Sequence, residues 1–122
     1  MKVQVVPGVL VRGLDARLRR MLSELLDNAQ RHAKTVVFVQ VRRTADAAEL
    51  VVADDGDGIA QEDRERVFDR FTRLDAARSR DRGGTGLGLA IVRNIAHGHE
   101  GQVHVEPASG GGAAFVVRLP LA

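Results

Sequence analysis

The sequence predicts an α/β fold of the α+β kind: a two-layer α/β sandwich in which a mixed, mostly antiparallel sheet carries about three helices on one face. Three observations lead there. Two segments repeat apolar residues at spacings of three and four, as amphipathic helices do. Four Val- and Ala-rich runs have the length and residue types of strands. These runs come in two sequence-adjacent pairs, each joined by a short polar turn, as antiparallel strands are.

The elements follow in chain order. Residues 3–11 are apolar and β-branched but are interrupted by Pro7 and Gly8, so they read as short extended pieces. Asp15 is placed to cap a helix running to about Ala33. Leu18, Leu22, Leu25, Ala29 and Ala33 recur on one face of it. Residues 35–42 form a strand, with Val37, Val39 and Val41 alternating against Phe38 and Gln40. Polar residues 44–48 turn the chain into a second strand, 49–53, antiparallel to the first. Residues 54–58 end that strand. A short helix is expected over about 61–71, burying Val67, Phe68 and Phe71. Residues 74–84 lack periodicity and are rich in Arg, Asp and Gly, so they read as a mobile loop. A helix returns over 86–97 with Leu87, Ile91 and Ile95 in register. Strands at 102–106 and 114–119 close the chain around a turn at 107–112.

With 122 residues, 44% hydrophobic and 28% charged, the chain is expected to form one domain, 1–122, with a real core. No apolar run is long enough to cross a bilayer, and the first residues lack a signal-peptide pattern. There is no Cys, which excludes disulfides, thiolate metal sites and a Cys nucleophile. A cytoplasmic domain is expected. The formal charge is +2, and sixteen of the eighteen basic residues are Arg. Together with abundant Ala and Gly, this reads as the product of a GC-rich coding sequence. The arginines are spread along the chain, Trp and Tyr are absent, and the four Phe stand at apolar positions. No stacking platform results, so no nucleic-acid partner is expected.

Three segments carry chemistry. Glu24, Asn28 and His32, four apart, form a line along the border between the first helix's core stripe and solvent. Polar groups there are held by packing and still reach a ligand, and an Asn carbonyl oxygen is a donor that Mg²⁺ accepts beside phosphates and water. At 54–59, Asp-Asp-Gly-Asp-Gly-Ile places carboxylates at a strand end, able to accept a hydrogen bond from an exocyclic amine. Its glycines let the backbone approach a flat ring. A calcium loop fits poorly, since Ile59 and Ala60 fall where that loop needs an acidic ligand and the Gly. At 83–89, Gly-Gly-Thr-Gly-Leu-Gly-Leu runs into a helix N-terminus, which offers N–H groups and a favourable dipole to phosphates. It is neither a Walker loop nor a dinucleotide fingerprint: no Lys-Ser or Lys-Thr pair follows, and Leu89 stands where the third Gly belongs. Each segment alone also has a plain reading as a solvated helix edge, an acidic turn or a Gly-rich helix start.

In this order the segments resemble a known family, the histidine-kinase branch of the gyrase, Hsp90, histidine kinase and MutL ATPases. Residues 24–33 are similar to its N box, 54–59 to its first glycine box, and Val67-Phe68-Asp69-Arg70-Phe71 to its F box. Residues 83–90 are similar to its second glycine box and 111–115 to the terminal one. The resemblance covers about residues 12–120.

It implies a fold of the Bergerat type, with ATP between the helices and a lid at about 74–84. It implies that Asp54 binds the adenine amine, that Gly56 and Gly58 shape the adenine pocket, and that His32 packs beside the base or ribose. Asn28 is implied to coordinate Mg²⁺, possible help coming from Glu24, and these two are the implied catalytic residues. Arg31 is implied to face the phosphates, and Gly84, Gly86, Leu87 and Gly88 to hold them. Ile59, Thr85 and Ala113 complete the implied ATP-binding set. Arg70 and Arg73 are candidates for γ-phosphate or interdomain contacts, with a solvated face as the alternative. The family reaction transfers the γ-phosphoryl group to a histidine on a dimerisation domain, then onward to a response regulator.

Three departures stand out. Glu24 replaces a frequent second Asn; related ATPases use a Glu there to activate water, so Glu24 either does that or assists Mg²⁺. Ala113 and Ala114 replace frequent Thr residues, removing a hydroxyl from the adenine pocket. None of His32, His97, His99 and His104 has the setting of a phospho-acceptor. The expected molecule is therefore an ATP-binding catalytic domain, monomeric, without autophosphorylation by itself and without membrane contact. Its dimerisation and phospho-acceptor domain would lie elsewhere in a parent anchored in the bacterial inner membrane. Two rival readings stay open: an anti-sigma-factor serine kinase, and a nucleotide-sensing module without catalysis.

Overall fold

The structure, a computed structural model, describes residues 1–5, 7–69 and 87–122. The N-terminal apolar stretch supplies β1 (Lys2–Val5), followed by α1 (Asp15–His32), β2 (Val37–Arg43) and β3 (Ala47–Asp54). Two 3-10 turns, Gln61–Asp63 and Arg66–Phe68, precede α2 (Gly88–Gly98), β4 (Gln102–Pro107) and β5 (Ala113–Pro120). The strands form a sheet of order β1-β2-β3-β5-β4. β1 runs parallel to β2, Val3 opposite Val39, with α1 as the crossover. The other neighbours are antiparallel: Val39 pairs with Val52, Val52 with Phe115, and Phe115 with Val105. The predicted mixed, mostly antiparallel sheet and two-layer sandwich are thus observed.

Strand alternation sorts the side chains. Val37, Val39, Val52, Val103, Val105, Phe115 and Val117 face the helices, against Met21, Leu25 and Ala29 of α1 and Val92, Ile95 and Ala96 of α2. Phe68 completes this core from the second 3-10 turn, edge-on to Phe115 with ring centroids 6.0 Å apart. Arg93 lies over Phe68, 5.6 Å from its centroid, and also reaches Asp69 at 3.4 Å. The opposite face has a small apolar centre of Val51, Ala53, Ala114 and Val116. Beside it Glu49 is held by Arg42 at 2.8 Å and Arg118 at 3.1 Å. Those guanidinium groups, Arg42 foremost, keep the Glu49 carboxyl below its ordinary range.

Several expectations are corrected. Asp15 does not cap α1: Leu14 holds that position without a side-chain bond, and Asp15, the first helical residue, pairs with Arg19 at 2.9 Å. Its carboxylate still suits the positive end of the helix dipole. The core stripe of α1 is rotated towards Met21, Leu25, Asn28 and Ala29, leaving Leu18, Leu22 and Ala33 half-buried. Ala47 and Ala48 belong to β3 because they pair with Pro120 and Leu119. The short helix expected at 61–71 is two 3-10 turns as far as Phe68; Phe71 lies outside the described residues. In α2 the buried residues are Val92, Ile95 and Ala96, whereas Leu87 and Ile91 are half-buried.

Phe115 is fully enclosed and touches both layers. Phe115→Ala is expected to lower the unfolding free energy by about 3–5 kcal/mol, read from urea denaturation.

Candidate functional site

The end of β3 meets the end of α1 and the start of β5 with no room for side chains. Asp54 closes β3 and is buried, 6% exposed. Its Oδ1 accepts the Gly56 N–H at 2.8 Å, bending the chain sharply out of the strand. A Cβ on Gly56 would overlap the His32 carbonyl oxygen at the end of α1. A Cβ on Gly112 would overlap the Asp54 carbonyl oxygen and stand 2.7 Å from Oδ1. Gly58 adopts φ +78°, which glycine alone takes without strain, and lies against the Gly112 carbonyl. Ile59 is half-buried against the main core, and Ala113, 4% exposed, opens β5 beside Gly112. The structure thus brings together Asp54, Gly56, Gly58, Ile59 and Ala113.

Asp55 does different work from Asp54. Its carboxylate accepts the backbone N–H groups of Lys34, Thr35 and Val36 at 2.9, 3.0 and 3.1 Å, tying the α1–β2 connection to the end of β3. These bonds, the Thr35 amide foremost and its hydroxyl next, hold the Asp55 carboxyl far below the ordinary carboxylate range. Asp57 is exposed and pairs with Lys34 Nζ at 3.3 Å.

The second part of the site lies along α1. Asn28 is buried, 7% exposed, so it sits inside the core stripe and not on the solvent border that its spacing suggests. Glu24, one turn earlier, is half-buried, with Arg20 Nε 3.9 Å from its Oε1. Its Oε2 lies 3.1 Å from where a Gly88 Cβ would stand, so the carboxylate faces the start of α2. Leu87 caps that helix, and its carbonyl accepts the Ile91 N–H at 2.9 Å. Arg31 is half-buried in the last turn of α1, and the His32 side chain is exposed. Arg70, Arg73, Gly84, Thr85, Gly86 and the expected lid at 74–84 lie outside the described residues. A cleft of about 300 Å³ lined by Met1, Gln30, Ala33, Lys34, Thr35 and Val37 contains none of these site residues.

Comparison with known proteins assigns the family. Residues 13–122 match the family described as histidine kinase-, DNA gyrase B-, and HSP90-like ATPase. The chain belongs to this family. The ATPase domain is similar to the sensor protein RstB of Escherichia coli K12, 46% identical over 109 residues, 88% of this chain and 25% of RstB. It is also similar to the sensor-like histidine kinase SenX3 of Mycolicibacterium smegmatis, 41% identical over 115 residues, 93% of this chain and 30% of SenX3. Among solved structures, the mycobacterial sensor histidine kinase MprB superposes with a TM-score of 0.82 at 34% identity, over 98% of this chain and 80% of that one. The ATP-binding domain of PrrB from Mycobacterium tuberculosis gives 0.77 at 30% identity, over 100% and 81%. The chain is thus an ATPase domain of the sensor histidine kinase type, and it spans 25–30% of the length of these curated relatives. No helix among the described residues is long and apolar enough to cross a membrane.

Two contacts had no distinct signal in the sequence. The Asp55 staple is hidden because adjacent aspartates read alike, and the Glu24–Gly88 approach joins residues far apart in the chain. A folded-state pKa below the ordinary 3.8 means that Asp55 stabilises the fold fully above that value and loses its contribution as pH falls below it. Asp55→Asn is therefore expected to be less stable than the wild type near neutrality. In denaturant melts taken from about pH 5 towards about pH 2, that gap should narrow.

Proposed function

We propose that this domain binds Mg-ATP and donates the γ-phosphoryl group to a histidine on a separate dimerisation domain of a two-component sensor kinase, for onward transfer to a response regulator. One observation carries the proposal: a buried carboxylate walled by glycine backbone and a glycine helix start facing a carboxylate lie at the two ends of one stretch of α1. From Glu24, at Gly88, to His32, at Gly56, α1 rises about 12 Å. An extended nucleotide suits that stretch, with its base at Asp54 and its phosphates at the start of α2.

Each residue has a chemical part in this reading. Asp54 accepts a hydrogen bond from the exocyclic amine of adenine, which guanine lacks at that position. Gly56, Gly58 and Gly112 let the backbone close up around Asp54 and so shape the adenine pocket, with Ile59 and Ala113 adding apolar contact. Leu87 and Gly88 present the positive end of the α2 dipole to phosphate, and Gly84, Thr85 and Gly86 are assigned to hold phosphate on the family resemblance. Arg31 adds positive charge. The residues present fit Mg²⁺: Asn28 and Glu24, one turn apart, would hold it through oxygen, and it would supply charge neutralisation on the phosphates. In the transfer, the acceptor histidine nitrogen forms a bond to the γ-phosphorus as the bond to the β–γ bridging oxygen breaks, and ADP leaves with the electron pair. The domain contributes positioning and electrostatic stabilisation.

The acceptor histidine and the dimer contacts belong to the parent protein, which we place in the bacterial inner membrane with this domain in the cytoplasm; the response regulator is a separate partner downstream of it. The domain by itself is a monomer that binds ATP and does not autophosphorylate.

Calorimetric titration tests the reading. Saturable binding that prefers ATP over GTP and strengthens with Mg²⁺ is expected; no binding at millimolar ATP would sink it. Asp54→Asn should remove the preference for ATP and most of the affinity while leaving the thermal melt nearly unchanged. Asn28→Ala should weaken binding with Mg²⁺ far more than without it, and an equal loss in both conditions would take Asn28 off the metal.

A further inference from the structure

The start of α1 lacks both halves of the reciprocal capping arrangement that helices commonly use. Its cap residue, Leu14, has no side-chain acceptor, and the third helical position, where a Glu or Gln would reach back, is Arg17. The Leu14 N–H is satisfied from the far end of the chain, where His99 Nε2 accepts it at 3.1 Å. The other ring nitrogen, Nδ1, lies 2.8 Å from the Ile95 carbonyl oxygen. A carbonyl only accepts, so Nδ1 carries the proton and Nε2 offers the lone pair. The two partners therefore select one neutral tautomer. Gly13 belongs to the same contact: a Cβ there would stand 2.5 Å from His99 Cδ2 and 2.6 Å from Nε2.

A second contact joins the same two helices, where Gly88 at the start of α2 faces Glu24. Leu14 and Glu24 are ten residues apart on α1, and Gly88 and His99 eleven apart on α2. At the helical rise these separations are about 15 Å and about 16.5 Å. Two rungs at matched spacing, taken in opposite chain directions, fix how far α1 can slide along α2. The apolar residues of the core are non-directional and tolerate small slips. A hydrogen bond to Leu14 does not, since one residue of advance moves the amide by about 1.5 Å and turns it away.

We propose that His99 is a positioning residue for the nucleotide site: its Nε2 bond to the start of α1 holds Glu24 and Asn28 in register with the Gly88 helix start. The functional consequence rests on the Mg-ATP reading above; the pin itself does not.

Two substitutions separate the bonds of the ring. His99→Gln puts an amide oxygen where Nε2 lies, and His99→Asn reaches only the place of Nδ1, keeping the bond to Ile95. Three measurements apply: ¹⁵N shifts of the wild-type ring, hydrogen exchange of the Leu14 amide, and calorimetric affinity for Mg-ATP. The expected results are a protonated Nδ1 with a lone pair on Nε2, Leu14 protection kept in the Gln variant and lost in the Asn variant, and affinity lowered roughly fivefold in the Asn variant alone, the scale of one net hydrogen bond. A proton on Nε2, or Asn and Gln variants that match in protection and affinity, overturns the proposal. Lost protection with unchanged affinity also overturns it, by reducing His99 to a structural cap. A wild-type domain that binds no Mg-ATP overturns the Mg-ATP reading instead, and the ring shifts and Leu14 exchange still decide the pin.

Discussion

Close approach of backbone to backbone at the end of β3 is the constraint on which the rest of the site depends. Gly56 lies against the last carbonyl of α1 and Gly112 against the carbonyl of Asp54, each at a distance that no side chain allows. This contact sets where α1 ends relative to the sheet. Since α1 is one rigid helix, it also sets where Asn28 and Glu24 stand. The Asp55 carboxylate secures the arrangement from the other side by gathering three amides of the α1–β2 connection. A hydrogen-bonded turn, two missing side chains and a buried carboxylate thus form one unit, and the adjacent aspartates divide its tasks. Asp54 shapes the turn at the end of β3, and Asp55 ties that turn to the α1–β2 connection.

Much of this was legible in the sequence. Alternation at Val37, Val39 and Val41 placed β2, and the glycines after Asp54 marked the tight turn at the end of β3, because strand period and backbone freedom are local properties. The helix start was misread for an equally local reason. Asp15 is a good capping residue by type, but the bond that closes α1 comes from His99, 85 residues away, which no window around residue 15 contains. The burial of Asn28 was hidden in the same way. Spacing within α1 gives the angle between side chains, whereas the facing partners on α2 and the sheet decide which angle points inward. The expected helix at 61–71 gave way to two 3-10 turns as far as Phe68, since Phe68, the large buried anchor among the described residues of this segment, needs only a turn to reach Phe115.

The two buried carboxylates among the described residues are held differently, Asp54 by a backbone N–H and Glu49 by arginines. Glu49, buried on the sheet's second face, is bracketed by two arginines, so its charge is compensated where water is scarce. Glu24, by contrast, has a loose partner in Arg20 at 3.9 Å and stands before the bare backbone of Gly88. The difference separates a carboxylate committed to the scaffold from one still able to change partners.

The manner in which β1 joins the sheet has a consequence for cooperativity. Its four side chains are all exposed, and it meets the sheet as a parallel strand whose partner begins more than thirty residues later. Closing so long a span before any pairing is formed is entropically unfavourable, and little apolar burial offsets it. The antiparallel strands with their two helices therefore make up the cooperative body of the domain. β1 is an added layer at its margin, able to detach and return while that body stays assembled.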